Sequence, residues 1–175
     1  MNLTKSHDCP EQESVIKVLI NTDELLSHAE LREILVHPVF ESLRNFPHHG
    51  KISCYDHSIT VACLAYRMAG RFGCDRISAA KGGLLHDLYL YDWHSGGPGL
   101  HGFRHPSISL QNSLRFFTLN EIERDAILRH MWPLTPVPPR YRESLIVSIA
   151  DKRATLRDFI TNVRTGGIFS RDPAV

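Results

Sequence analysis

Gly82-Gly83-Leu84-Leu85-His86-Asp87-Leu88 decides how this chain is read. Upstream, Ile77, Ala80, Leu84 and Leu85 recur at helical spacing and Asp75 can cap the segment. The stretch therefore predicts a helix that ends on an imidazole and a carboxylate. Two such groups side by side at the end of an apolar helix share one buried point. Burying them is costly unless something compensates, and a divalent cation would do so. Gly82-Gly83 costs about 1 kcal/mol per residue in a helix relative to Ala. Close approach of a second helix is the expected reason for keeping it.

Working outward, the other segments also read as helices. Ser53 to Phe72 is the strongest: Ile59, Cys63 and Tyr66 form a stripe, Ala62, Ala65 and Ala69 permit close packing, and Gly73 fits a C-terminal stop. Before it, Ser14 to Leu26 has helical spacing with a break at Asn21-Thr22-Asp23-Glu24. His37-Pro38 then ends a helix around Ala29 to Val36, and Pro47-His48-His49-Gly50 reads as a solvated turn. After His86-Asp87, the segment from Asp92 to Arg104 contains Ser95-Gly96-Gly97-Pro98-Gly99 and is expected to be a loop carrying Asp92, His94 and His101. Pro106 should open a helix through Leu119, and Asn120 should cap another from Glu121 to His130. Pro133, Pro136, Pro138 and Pro139 suggest an extended connection. Arg140 to Val163 is a long final helix, ended by Gly166-Gly167. Strand signals are weak throughout. The fold expected is all-α, a helical bundle in one domain over residues 1–175. Its core spans about 53–163, residues 1–52 are a helical N-terminal part, and 164–175 form a loosely held tail.

Composition narrows the function. Apolar residues at 42% and charged residues at 22% are ordinary for a globular chain. A formal net charge of +1 gives no global reason to expect nucleic acid or an acidic membrane as a partner. Cys9, Cys54, Cys63 and Cys74 form no close Cys-x-x-Cys pair, so a zinc ribbon or thioredoxin-like centre is not expected. Met1 to Pro10 lacks the apolar run of a secretory signal, and no apolar run reaches the roughly 18 to 20 residues of a membrane span. A cytoplasmic location is the default expectation. The eleven histidines are dispersed rather than gathered in a tag.

Six of the histidines and aspartates form a candidate ligand set on five segments: His57, His86, Asp87, His105, His130 and Asp151. A bundle can bring inward-facing residues from separate helices to one place. Imidazole and carboxylate donors without thiolate favour iron, manganese, cobalt, nickel or zinc as one or two divalent ions. Few protein ligands per ion leave open positions, which mark catalytic rather than structural sites. Asp87 is the natural bridge between two ions.

The order His57, His86-Asp87, Asp151 resembles the H…HD…D signature of the HD-domain metal-dependent phosphohydrolases, in the contexts Tyr55-Asp56-His57-Ser58-Ile59, Leu84-Leu85-His86-Asp87 and Ile149-Ala150-Asp151-Lys152. His105-Pro106 and Arg129-His130 resemble the extra ligands of the two-metal branch, which includes the HD-GYP cyclic-dinucleotide phosphodiesterases and the symmetrical diadenosine tetraphosphate hydrolases. The resemblance covers roughly Ser53 to Phe159. It implies an HD-type fold in which His57, His86, Asp87 and Asp151 hold a first metal and Asp87, His105 and His130 a second. The activity implied is hydrolysis of a small phosphorylated substrate of nucleotide type, with Asp87 central. Arg104, next to His105, is the candidate phosphate clamp. The chain has His130-Met131 where HD-GYP proteins have two histidines, lacks their Gly-Tyr-Pro element, and has Leu88 after His-Asp. Cyclic-dinucleotide cleavage is therefore not implied. The alternatives are a one-metal nucleotide monophosphatase and an inactive HD-type metal- or nucleotide-binding regulatory module. Of Lys152 and Arg153, at most one can face the site. Phe116-Phe117 and Trp132 are expected in the core or at an interface.

Overall fold

The structure, a computed structural model, describes residues 22–49, 52–92 and 99–164. Its helices are α1 (Thr22–Leu26), α2 (Ala29–Leu35), α3 (Pro38–Glu41), α4 (Cys54–Arg71), α5 (Arg76–Leu85), α6 (His101–Phe116), α7 (Glu121–Arg129) and α8 (Arg142–Arg164). A 3-10 turn covers Ser42–Asn45, and a short antiparallel ribbon pairs β1 (Pro47–His49) with β2 (Ile52–Ser53). The all-α reading holds, with that ribbon as its one exception among the described residues. Most of the expected Ser14–Leu26 helix, His94 with Ser95 to Pro98, Gly166-Gly167 and nearly all of the 164–175 tail lie outside the described residues.

The caps expected at Asp75 and Asn120 are present, and Ser53 adds another at the start of α4. Ser53 Oγ accepts from the Asp56 amide, and Asp75 Oδ1 accepts from the amides of Ile77 and Ser78. Asn120 and Glu123 form a reciprocal capping box at α7. Gly73 ends α4 with φ +64°, a conformation that costs glycine nothing.

Helix α4 is the hub. It packs most closely on α5 and then on α8, while α7 lies against both α5 and α8. One face of α4 joins a core of large side chains with α1–α3 and α5, including Leu31, Phe40, Leu43, Leu84 and Tyr89. The other face joins a seam of small residues: Val61, Ala65, Ala69, Ala79, Ala126, Ala150 and Ala154. The seam brings four helices near enough for short histidine and aspartate side chains to meet. Gly82-Gly83 lies where α5 meets α4 and α7. A β-carbon on Gly83 would stand 2.8 Å from Ala62 Cα, and one on Gly82 would stand 2.8 Å from Ala126 Cβ. Close packing is thus the reason for the glycine pair.

Two expectations about elements need correction. Helix α6 starts at His101, so Pro106 lies inside it rather than opening it. His105 reaches back along this helix, its Nδ1 donating to the His101 carbonyl at 2.9 Å while the two rings stack 4.6 Å apart. The proline-rich connection is also not extended at its start. Residues 130–134 form turns, with the Trp132 amide donating to the Arg129 carbonyl and Leu134 to Met131. Ser148 Oγ, on α8, sits against the carbonyls of His130 and Trp132 at 2.7 and 3.0 Å and holds the turn in place.

Candidate metal centre

The start of α4 and the first turns of α6 deliver His57 and His105. The C-terminal ends of α5 and α7 deliver His86-Asp87 and His130, and the middle of α8 delivers Asp151. All six are buried and converge. Asp87 stands at the centre. Its Oδ1 is 3.2 Å from His105 Nε2 and 3.7 Å from His130 Nε2, and its Oδ2 is 3.4 Å from His86 Nε2. Asp151 Oδ1 lies 3.2 Å from His57 Nε2 and 3.8 Å from His86 Nε2.

Every one of the four ligand-candidate imidazoles has its other nitrogen engaged. Nδ1 of His86 meets the Gly83 carbonyl at 2.8 Å, that of His105 the His101 carbonyl at 2.9 Å, and that of His130 the Ile127 carbonyl at 2.8 Å. A carbonyl only accepts, so these three Nδ1 atoms carry the proton, and in the neutral rings the lone pair is on Nε2, turned inward. His57 Nδ1 meets Asp158 Oδ2 at 3.1 Å, a carboxylate behind a histidine, which is the usual support of a metal-binding imidazole. His105 Nε2 and His130 Nε2 face each other at 2.8 Å. Two lone pairs repel at that distance, so a proton or a larger cation must lie between them.

The charge balance follows from these contacts. Burial would raise the Asp87 carboxyl, but the imidazoles around it, His86 first, hold it well below the usual carboxylate range. Burial would raise Asp151 as well, but His57, His86 and His130 together hold it low. Burial opposes a charge on His57, yet Asp151 and Asp158 outweigh it and hold the ring up at about 9. Burial, with His86 and His105 adding to it, pushes His130 down to about 3. Burial also opposes charge on His105, where Asp87 more than offsets it and the value is raised.

The donor set fits divalent ions. His86 Nε2 and Asp87 Oδ1 are fully buried without a hydrogen-bond partner, although other ring nitrogens surround them. Such orphans cost free energy in a protein interior, and a cation at their common focus removes that cost. Ligand atoms of His57, His86 and Asp87 lie within 4.8 Å of one another, and so do those of Asp87, His105 and His130, with Asp87 common to both groups. A family model for the HD domain matches residues 54–156, well over half of the chain. The chain belongs to the HD domain family. Its buried histidine and aspartate clusters are those of an HD-type metal-dependent phosphohydrolase. No curated protein matches the chain, and no solved structure does.

A cavity of about 680 Å³ opens beside the HD centre. Asp87, His105, His130 and Asp151 floor it, and Met131, Leu134, Leu156 and Phe159 give it an apolar wall. His101, expected on a loop, lines the cavity one helical turn before His105, with Nδ1 2.9 Å from the Tyr91 hydroxyl. Lys152 also lines it, and Arg153 does not. The three donors of the Lys152 ammonium meet the carbonyls of His130 and Ser148 and the Ser148 hydroxyl at 2.9 to 3.1 Å. Burial lowers its pKa, against the pull of Asp151. Arg104 is exposed on the first turn of α6 and is not among the side chains lining the cavity. Of the aromatic residues, Phe117 is buried, while Phe116 and Trp132 are exposed.

Two residues at the centre escape the sequence pattern. His48 is not a solvated turn residue. It is buried, stacks on His57 with ring centroids 3.8 Å apart, and places Nε2 3.2 Å from Asp87 Oδ2. Asp158 is buried behind His57. It lies seven residues after Asp151, two turns along the same face of α8, and that spacing was the available signal.

Proposed function

We propose that this HD domain hydrolyses a phosphate ester or anhydride of a small nucleotide-type substrate, using one or two divalent transition ions. His57, His86, Asp87 and Asp151 would hold one ion, and Asp87, His105 and His130 the other. Bound ions of this kind supply an activated water and neutralise charge on the phosphoryl oxygens. The chain's own residues do the rest. The Nδ1 contacts hold each ring with Nε2 inward, so little reorganisation is needed at the site. The apolar wall of Met131, Leu134, Leu156 and Phe159 takes the organic part of the substrate and keeps bulk water from the floor. Lys152 fixes the backbone of His130. Of the two residues expected to be catalytic, Asp87 is at the centre and Arg104 is exposed outside the cavity lining, so the catalytic role is assigned to Asp87.

The observation that carries this reading is the convergence of inward-facing Nε2 atoms on both oxygens of one buried carboxylate. The test is a hydrolysis screen with Mn²⁺ or Fe²⁺ across nucleoside monophosphates, diphosphates, dinucleoside polyphosphates and aryl phosphates. Turnover that a chelator abolishes is the expected result. Stoichiometric ion binding with no turnover of any substrate would instead identify a regulatory module. The 2.8 Å contact of His105 with His130, which one shared proton can satisfy, favours a one-ion nucleotide monophosphatase as the second reading.

A further inference from the structure

The two oxygens of Asp87 have matching surroundings. Oδ1 has His105 at 3.2 Å and His130 at 3.7 Å; Oδ2 has His48 at 3.2 Å and His86 at 3.4 Å. Each oxygen thus faces a pair of imidazole Nε2 atoms. Three of these four histidines lie within the family-matched residues 54–156, and His48 precedes them. It comes from β1, whose partner β2 runs straight into α4, so the ribbon lies over the turn that carries His57. Covering His57 by stacking would need only a flat or apolar side chain. It would not need a ring nitrogen directed at a buried carboxylate oxygen, nor a side chain that also lines the substrate cavity.

We infer that His48 is a further ligand of the ion on the Oδ2 side of Asp87, so that the ribbon preceding the HD domain is part of the metal centre. This rests on the metal-dependent reading above. With His57, His86, Asp87 and Asp151, His48 brings the donors on that side to five, more than a four-coordinate zinc site uses. Five nitrogen and oxygen donors plus one open position suit a six-coordinate ion such as Fe²⁺, Mn²⁺, Co²⁺ or Ni²⁺.

Metal-free wild type and His48→Gln protein, titrated with Co²⁺ and followed by visible absorption and chelator competition, test this. The variant should bind the same number of ions, with affinity for the Oδ2-side ion reduced about 10-fold or more and that ion's spectrum altered. Affinity and spectrum identical to wild type would overturn the assignment. If circular dichroism shows that His48→Gln fails to fold, ¹⁵N spectra of the histidine side chains in zinc-loaded wild type decide. An ion-bound His48 Nε2 supports the assignment and a protonated one overturns it. Wild type that binds no Co²⁺ at all would remove the metal-dependent reading itself, and this inference with it.

Discussion

On one side of Asp87, His57 stands between two carboxylates, Asp151 at 3.2 Å and Asp158 at 3.1 Å. On the other, His105 and His130 face each other at 2.8 Å with Asp87 as the nearby acid. The acid-rich side sets two carboxylates against one imidazole, which keeps a proton to about pH 9, and so stays net negative without an ion. On the imidazole-rich side Asp87 raises His105, while burial with neighbouring histidines pushes His130 down to about 3. An ion arriving at His57 must displace a proton held between two carboxylates, whereas one arriving between His105 and His130 displaces the single proton that the two facing nitrogens share. The two halves of one centre therefore differ in what they ask of an ion, and only Asp87 belongs to both.

The strongest way to break this picture is Asp87→Ala, which removes the group common to both sides. Activity should fall about 10³-fold or more, equivalent to roughly 4 kcal/mol of transition-state stabilisation. Ion content should drop to near zero while circular dichroism stays helical. A weaker pair of changes separates the sides. His130→Ala should halve the ion content of a two-ion centre, measured by elemental analysis, and unchanged content would favour the one-ion reading. Asp158→Asn should retain both ions but weaken the acid-rich side about 10–100-fold in chelator competition, since it removes only the support behind His57.

Gly83→Ala should act on one side through packing. Its new β-carbon would press on the Ala62 backbone and displace the carbonyl that orients His86. Overpacking of this kind costs about 1–3 kcal/mol in a urea unfolding curve. The ion beside His86 should weaken while the His105/His130 side is kept. The smallest effect concerns pH and isolates the acid-rich side in His130→Ala protein. The folded, ion-free value for His57 is raised to about 9, so below that pH an ion competes with a proton there. Affinity should climb with pH, by at most about tenfold per unit, and level off beyond pH 9. Calorimetry in buffers of different ionisation heat should record proton release on binding.

Much of the centre was legible because imidazoles and carboxylates on apolar helices are costly to bury without a purpose. His57, His86, Asp87, His105, His130 and Asp151 carry that signal in the chain itself, and the alanine spacing of α4 foretold the close packing that unites them. His48 carried no such signal. A Pro-His-His-Gly run has turn composition, and only the tertiary return of the ribbon onto α4 turns its ring inward. Asp158 was hidden in a charged, amphipathic stretch, where a carboxylate ordinarily faces solvent. The start of α6 was misplaced because Pro106 was given the first-turn position that proline prefers. The contacts of His105 and His101 instead carry the helix back past it.

The most direct measurement is anomalous diffraction from crystals of the Mn²⁺-loaded protein. Two peaks flanking Asp87 are expected, one contacting His57, His86 and Asp151 and the other His105 and His130. Ions bound elsewhere, or none in contact with Asp87, would contradict the account.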